Sequence, residues 1–144
     1  MVEIREIHDP DVVLEALECV GGSLFDQTVN QPETLQALGR KYAEKANVIT
    51  VISDSQMAGL CAFYDNDQES AFISMMVVIG EYQHRGYGTL LLREVIRRCR
   101  VEETKSLRLE VSHNNQKAIE FYKKNGFQMR EKKAENLIME LKLL

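Results

Sequence analysis

The residues best spaced to do chemistry are Gln83-His84-Arg85-Gly86-Tyr87-Gly88. An apolar, strand-like run, Ala71–Ile79, leads into them, and a helix-like run beginning Thr89-Leu90-Leu91-Leu92 leads away. A glycine-bearing turn that feeds a helix can hold phosphate. Its backbone N–H groups converge, and the helix dipole adds partial positive charge at the same place. Gly86 and Gly88 leave no Cβ between backbone and anion. Arg85 could add a full charge, or stand solvated on the loop. Two common nucleotide loops are excluded. One needs Lys and Ser/Thr after its last glycine, where this chain has Thr89 and Leu90. The other needs a small residue three positions after Gly88, where this chain has Leu91. Taken alone, the turn is equally a helix entry with no ligand.

The surrounding elements must position that turn. Val2–His8 alternates as an edge strand. Asp9 caps a helix with Pro10 in its first turn and Val13, Leu14 and Leu17 at helical spacing, stopped by Gly21-Gly22. A loop over residues 23–31 precedes a second helix opened by Gln31-Pro32-Glu33, with Leu35, Leu38 and Tyr42 on one side. Val48–Ser53 and Gly59–Tyr64 read as strands around a polar turn, and residues 65–70 as another turn. The helix after Gly88 buries a stripe of Leu91, Leu92, Val95, Ile96 and Cys99. A strand over 106–111 and a helix over 115–124 follow. Gly126 is a helix stop before the strand Phe127–Arg130, and a turn around Glu131–Glu135 precedes the last strand. Strands mixed with helices in this order predict an α/β sheet covered on both faces.

Composition sets further bounds. The 144 residues suit one domain, 1–144, and the 44% hydrophobic and 28% charged fractions are those of a globular chain. A net charge of −4 argues against general nucleic-acid binding. No apolar run approaches the ~18 residues of a membrane span, so no membrane partner is expected. Met1–Glu6 lacks the pattern of a signal peptide, and a cytoplasmic location is expected. Cys19, Cys61 and Cys99 are an odd, scattered set with no zinc spacing. All three are expected to be free thiols buried in apolar surroundings, and no metal is expected.

The order Gln83-x-x-Gly86-x-Gly88 resembles the acetyl-CoA pyrophosphate loop of the GNAT N-acetyltransferase superfamily. Val78–Gln83 resembles the end of that family's central strand, although Gly80 stands where the family often has proline. Leu107–Val111 is similar to its next strand. Asn115-Gln116-Lys117-Ala118-Ile119-Glu120-Phe121-Tyr122-Lys123-Lys124-Asn125-Gly126-Phe127 resembles its second signature, Asn-x-x-Ala-x-x-Phe-Tyr-x-x-x-Gly-Phe. The likeness covers roughly residues 70–130. The amino-terminal part agrees in layout and carries no signature.

The resemblance implies a single GNAT-like domain with a mixed, mostly antiparallel central sheet flanked by helices on both faces. It implies an acetyl-CoA-dependent N-acetyltransferase in which the amine attacks directly in a ternary complex. The strand near Met76, Val77 and Val78 would splay from its neighbour and hydrogen-bond the pantetheine arm. Gln83 and the amides of His84, Arg85, Gly86, Tyr87, Gly88 and Thr89 would cradle the pyrophosphate. Asn115 and Tyr122 lie seven residues apart, about 10 Å along one helix face. In the family the matching Asn contacts coenzyme A and the matching Tyr lies near the sulfur, so Tyr122 would protonate the departing thiolate. Asn115 is equally a helix cap, and Tyr122 equally a core aromatic beside Phe121.

No general base is evident. Glu110 is one candidate, working through water, or else a strand carboxylate facing solvent; His84 and His113 have no partner that suggests the role. Phe25, Asp26 and Tyr64, with Asp65, are candidates for an acceptor pocket with an acidic wall, or else ordinary loop residues. The acceptor is expected to be a small amine-bearing metabolite such as an amino sugar. The alternatives are a protein amino terminus, or a non-catalytic module that binds acetyl-CoA. Alternating Leu137, Met139, Leu141 and Leu143 offer an apolar face that either completes the core or forms an edge for a homodimer.

Overall fold

The computed structural model describes residues 1–144. Seven strands and four helices follow in the order β1 (Val2–Ile7), α1 (Pro10–Val20), α2 (Pro32–Lys45), β2 (Asn47–Ser53), β3 (Gln56–Tyr64), β4 (Ala71–Val78), α3 (Tyr87–Val101), β5 (Ser106–Ser112), α4 (Gln116–Lys124), β6 (Gln128–Lys133) and β7 (Asn136–Lys142). They make one sheet in the order β1-β2-β3-β4-β5-β7-β6. Every neighbouring pair is antiparallel except β4 and β5, which α3 joins by a crossover. The expected α/β sheet with helices on both faces is present.

Alternation along β3 divides the core. Cys61 and Phe63, with Ala58 brought to the same side by a bulge in β3, face one way, toward Leu91, Val95 and Cys99 of α3 and Ile119 of α4. Leu60 and Ala62 face the other way, toward Val13 and Leu17 of α1 and Tyr42 of α2. Burial on both faces explains why the central strands read as nearly continuous apolar runs.

One irregularity governs the rest. Ala62 pairs with Met75 but Phe63 pairs with Ile73, so Ser74 is an extra residue, a β-bulge, on β4. Its hydroxyl is 2.8 Å from the Tyr42 hydroxyl of α2. A bulge bends its strand and sharpens the local twist. Below it Ala71, Phe72 and Ile73 pair with Leu107, Arg108 and Leu109 of β5; above it the two strands share no pairing. The expected splay at Met76–Val78 is therefore present.

Four expectations need correction. Cys19 is exposed, unlike buried Cys61 and Cys99. It lies on α1 between buried Leu17 and Val20, on the side turned from the sheet. β3 begins at Gln56, because Asp54 and Ser55 both take positive φ (49° and 69°) and close a two-residue hairpin. Glu131–Lys133 belong to β6, and the last turn is only Ala134-Glu135, since an exposed edge strand accepts polar side chains. Finally, Leu137, Met139, Leu141 and Leu143 form no sheet edge. β7 lies between β5 and β6, Met139 and Leu143 are buried, and Leu137 and Leu141 pack on the same core. The edge at this end is β6, blunted by Arg130, Glu131, Lys132 and Lys133. No helix is long and apolar enough to cross a membrane.

Candidate active site

Where β4 leaves β5, its backbone has a strand on one side only. The Ile79 N–H reaches the Ala58 carbonyl of β3 at 2.8 Å. Antiparallel alternation then turns Met75 and Val77 toward β3, and Met76 and Val78 toward the gap. The Gln83 side-chain amide covers one of these groups by donating to the Val78 carbonyl at 3.1 Å. Met76 faces the gap with no strand opposite.

The chain then reverses through His84 (φ 67°) and Gly86 (φ 84°) into α3. A positive φ is the reason for glycine at 86. Gly86 is the N-cap and supplies no side chain, and the first turn of α3 has no acidic residue. The other helices are served: Asp9 caps α1, Glu33 lies in the first turn of α2, and Asn115 caps α4. The first helical bond of α3 runs from Leu90 N–H to Gly86 C=O at 3.1 Å. The amides of Tyr87, Gly88 and Thr89 are thus open donors at a positive dipole end. The Tyr87 side chain instead enters the core, where its hydroxyl lies 2.8 Å from the Ser53 hydroxyl of β2. That bond ties the first turn of α3 to the sheet.

These open groups share a cavity of about 710 Å³. Its floor is Met76, Val77 and Val78, and one wall is the turn with the start of α3. Asn115, Lys117, Ala118, Phe121, Tyr122 and Lys124 of α4 make the facing wall, and Ser23, Leu24 and Phe25 close a third side. The Gly80 N–H donates to the Ser23 hydroxyl at 3.1 Å, which pins that loop to the end of β4. The lining includes no Asp or Glu, in a chain with 22 of them.

Asn115 fills both of its expected places: its side chain accepts the Ala118 N–H at 3.3 Å, and it lines the cavity. Tyr122 is buried and edge-on to Phe121 and Phe127, with centroids 5.2 and 5.3 Å apart. Its hydroxyl has no partner in the chain. Burial, with a smaller contribution from Cys61, pushes the hydroxyl above the ordinary phenol range, so it remains a proton donor at neutral pH.

The cavity unites Phe25, Met76, Val77, Val78, Gln83, His84, Gly86, Tyr87, Gly88, Thr89, Asn115 and Tyr122. Arg85, Asp26, Tyr64 and Glu110 lie outside it. Arg85 rests over the Tyr82 ring, 5.4 Å from its centroid. Asp26 accepts the Thr28 N–H at 3.0 Å, and Thr28, through its hydroxyl first, holds that carboxyl below its usual range. Tyr64 is at the far end of β3, with its ring against Tyr42 at 6.4 Å and its hydroxyl buried. Asp65 accepts from Asn47 at 2.9 Å. The acidic-walled pocket expected from Phe25, Asp26, Tyr64 and Asp65 does not assemble, because β3 carries its last residues away from the gap. Glu110 is exposed on β5, one residue past Leu109, the last residue paired with β4. His113 is bound through its ring to the Glu135 carbonyl at 2.7 Å, a tie to the last hairpin.

Sequence reasoning missed Ser23, Leu24, Tyr82, Lys117, Ala118, Phe121 and Lys124. The spacing of Lys117, Phe121 and Lys124 on α4 was a readable signal, since i, i+4 and i+7 share a helix face. Ser23 and Leu24 fall in the segment of residues 21–34 where the family resemblance places acceptor choice, but no feature of either residue singled it out.

The sequence pattern of the Acetyltransferase (GNAT) family matches residues 13–127. The chain belongs to that family. It is 30% identical over 76 residues to YxbD of Bacillus subtilis (strain 168), a protein without a described function; the match covers 53% of this chain and 46% of YxbD. The chain thus spans about half the length of that relative. The fold is similar to that of the PaiA N-acetyltransferase of Thermoplasma acidophilum in complex with coenzyme A, with TM-score 0.77, 22% identity and 99% of each chain covered. It is also similar to the ribosomal-protein-S18-alanine N-acetyltransferase of Escherichia coli, with TM-score 0.82 and 20% identity over 99% of this chain and 94% of that one. A GNAT acetyltransferase of Elizabethkingia anophelis with acetyl-CoA bound gives TM-score 0.74 at 16% identity, covering 99% and 98%.

Proposed function

We propose that this chain is an acetyl-CoA-dependent N-acetyltransferase acting on the primary amine of a small metabolite, such as an amino sugar, by direct attack in a ternary complex. One observation carries the reading. The β4 backbone that has lost its neighbour lines one cavity with three open helix amides, and a buried tyrosine turns an unpartnered hydroxyl to the same cavity. Coenzyme A and acetyl-CoA bound to structurally similar GNAT proteins support it.

Each group then has a task. The amides of Tyr87, Gly88 and Thr89 receive the diphosphate. Met76 and Val78 accept the pantetheine arm as an added strand. The Met76 N–H donates to the thioester oxygen as negative charge develops there. The amine nitrogen forms the new C–N bond and the C–S bond breaks; Tyr122 gives its proton to the departing sulfur, and the second proton that the nitrogen sheds as the amide forms returns through water to the Tyr122 oxygen. Glu110, at the opening of the gap, takes a proton from the incoming ammonium through water. The amine approaches past Phe25, which is exposed at the cavity wall. The closely tethered loop Ser23–Phe25 favours a small acceptor over a folded protein.

The test follows thiol release from acetyl-CoA against amino sugars, diamines and peptide amino termini, in wild type and Glu110→Gln. Release that saturates with a small amine and falls in the variant is expected. Saturable acetyl-CoA binding with no release from any amine would leave a binding module. Absence of acetyl-CoA binding by folded protein would end the reading altogether.

A further inference from the structure

One face of the carboxyl-terminal strands is bare. α1 and α2 pack on β2, β3 and β4, and no residue of β5, β6 or β7 joins that core. Leu107, Leu109 and Val111 of β5 and Met139 of β7 turn the other way, to α3 and α4. Strand alternation therefore stands Arg108, Glu110, Ile138 and Glu140 on the bare face. Met76 and Val78 pack on the α3 and α4 side, so the bare face meets the gap from the side opposite the cofactor cavity.

Charge on this face is sorted by level. Glu110 and Glu131 flank Ile138 in one cross-strand row, and Glu110 is the first β5 residue past the pairing with β4. One row further from the gap, Glu140 is buried between two guanidiniums. Its oxygens accept the Nε–H of Arg108 at 2.6 Å and of Arg130 at 2.9 Å. The Nη groups of both arginines make no hydrogen bond in the chain, and both side chains reach solvent. In the next row Lys142, which has no ion pair, lines a second cavity of about 490 Å³ with Arg108 and Glu140. The other charges there, Lys105 and Glu69, pair with each other. A tie between strands needs one arginine. The second leaves a net positive charge, and Lys142 adds another.

A carboxylate that holds two guanidiniums at Nε leaves their remaining N–H edges side by side, an arrangement suited to an oxyanion. Resting on the acetyl-transfer reading above, we infer that the acceptor is an amine that also carries an oxyanion, carboxylate or phosphate, which binds Arg108 and Arg130 while its nitrogen enters the gap beside Glu110. Two residues of strand separate Glu110 from Arg108, about 7 Å, so the anion lies several bonds from the nitrogen. Phe72, exposed and in register with Arg108, offers the carbon skeleton an apolar surface between them.

Rates of thiol release from acetyl-CoA test this with two matched pairs of acceptors: a hexosamine against its 6-phosphate, and hexylamine against 6-aminohexanoate. Wild type is expected to show kcat/KM about tenfold or more higher for the anionic member of at least one pair, the worth of one charge-assisted contact. The pair with the larger ratio identifies phosphate or carboxylate as the group bound. Arg108→Gln should bring that ratio close to one, mainly through KM, and Arg108→Lys should keep part of it. No preference in either pair would overturn the inference. So would an Arg108→Gln variant slowed toward both members alike with the ratio retained, which would leave the triad as a tie between strands. Acetylation of no amine at all would be a failure of the acetyl-transfer reading. Calorimetric titration of the hexosamine and its 6-phosphate into coenzyme-A-bound protein then still decides, and equal affinities would overturn the inference.

Discussion

The two ends of β4 are built from the same kind of residue and do opposite things. At the start, Phe72 and Ile73 have strand partners on both sides, and Ala71 has one in β5. At the end, Met75–Val78 keep only β3. Side chains at both ends pack into the core, so hydrophobicity does not tell them apart. The difference is one bulged residue, Ser74, held by Tyr42. Binding capacity here is a property of backbone left unpaired, and the side chains' task is to keep it dry and in place.

The largest effect should come from attacking the open amides. Gly86→Glu puts a carboxylate where the diphosphate would sit. Nothing lies within 4 Å of a Cβ built on Gly86, so a loss cannot be assigned to a clash. The positive φ costs any side chain about 1–2 kcal/mol, and Gly86→Ala controls for that strain. Acetyl-CoA affinity should fall about 100-fold or more in Gly86→Glu and only severalfold in Gly86→Ala, by titration of variants shown to melt cooperatively. Equal losses in the two would mean that backbone geometry, not charge, is what the turn supplies.

The same contrast explains what could be read in advance. The glycine turn was legible because a positive φ demands glycine there, and the Asn115–Phe127 signature because it resembles a family motif. The alternating strands and proline-led helices were legible because backbone geometry and spacing demand particular residues there. The bulge was not, since Ser74 is unremarkable in a strand and its role depends on Tyr42, thirty-two positions away. Nor was the failure of Tyr64 to join Phe25. Both stand near the ends of elements that pack on one face, and only the run of β3 decides that they part. Glu140 illustrates the limit again: a carboxylate in an alternating apolar run, buried to 8% exposure between Arg108 (2.6 Å) and Arg130 (2.9 Å), has its partners in two other strands.

Two tyrosines sharpen the comparison. Tyr42 and Tyr122 are both buried on helices, on opposite faces of the sheet. The Tyr42 hydroxyl is committed to Ser74, whereas the Tyr122 hydroxyl is uncommitted. Tyr122→Phe should slow thiol release by about 10–100-fold with stability almost unchanged. A thiol with a pKa near about 8.5 is a fair leaving group unaided, so activity should not vanish. Tyr42→Phe should cost about 1 kcal/mol in urea unfolding and change the rate much less. If Tyr42→Phe slows turnover as much as Tyr122→Phe does, the bulge governs the chemistry and the hydroxyl of Tyr122 is incidental.

The smallest expected effect compares the two ends of α3. Its start is left open, while its middle and last turns are locked. Glu94 accepts from Arg97 at 3.0 and 2.7 Å and from Arg98 at 2.8 Å, and Arg98 also holds Glu6 of β1. Arg97 foremost, then Arg98, overcome partial burial and draw the Glu94 carboxyl from 4.5 down to about 2. A carboxyl lowered on folding stabilises the native state above its unfolded pKa, and that contribution disappears as pH falls through the folded one. Glu94→Gln should therefore cost about 1 kcal/mol at pH 7, given that Arg97 is largely exposed. The difference from wild type should hold down to pH 4.5 and close between 4.5 and about 2, as read by urea unfolding across that range. A gap that stayed constant to pH 2 would mean that Glu94 acts through packing. Acetyl-CoA affinity should be indifferent to the substitution, because the locked part of α3 holds the helix and only its first turn faces the cavity.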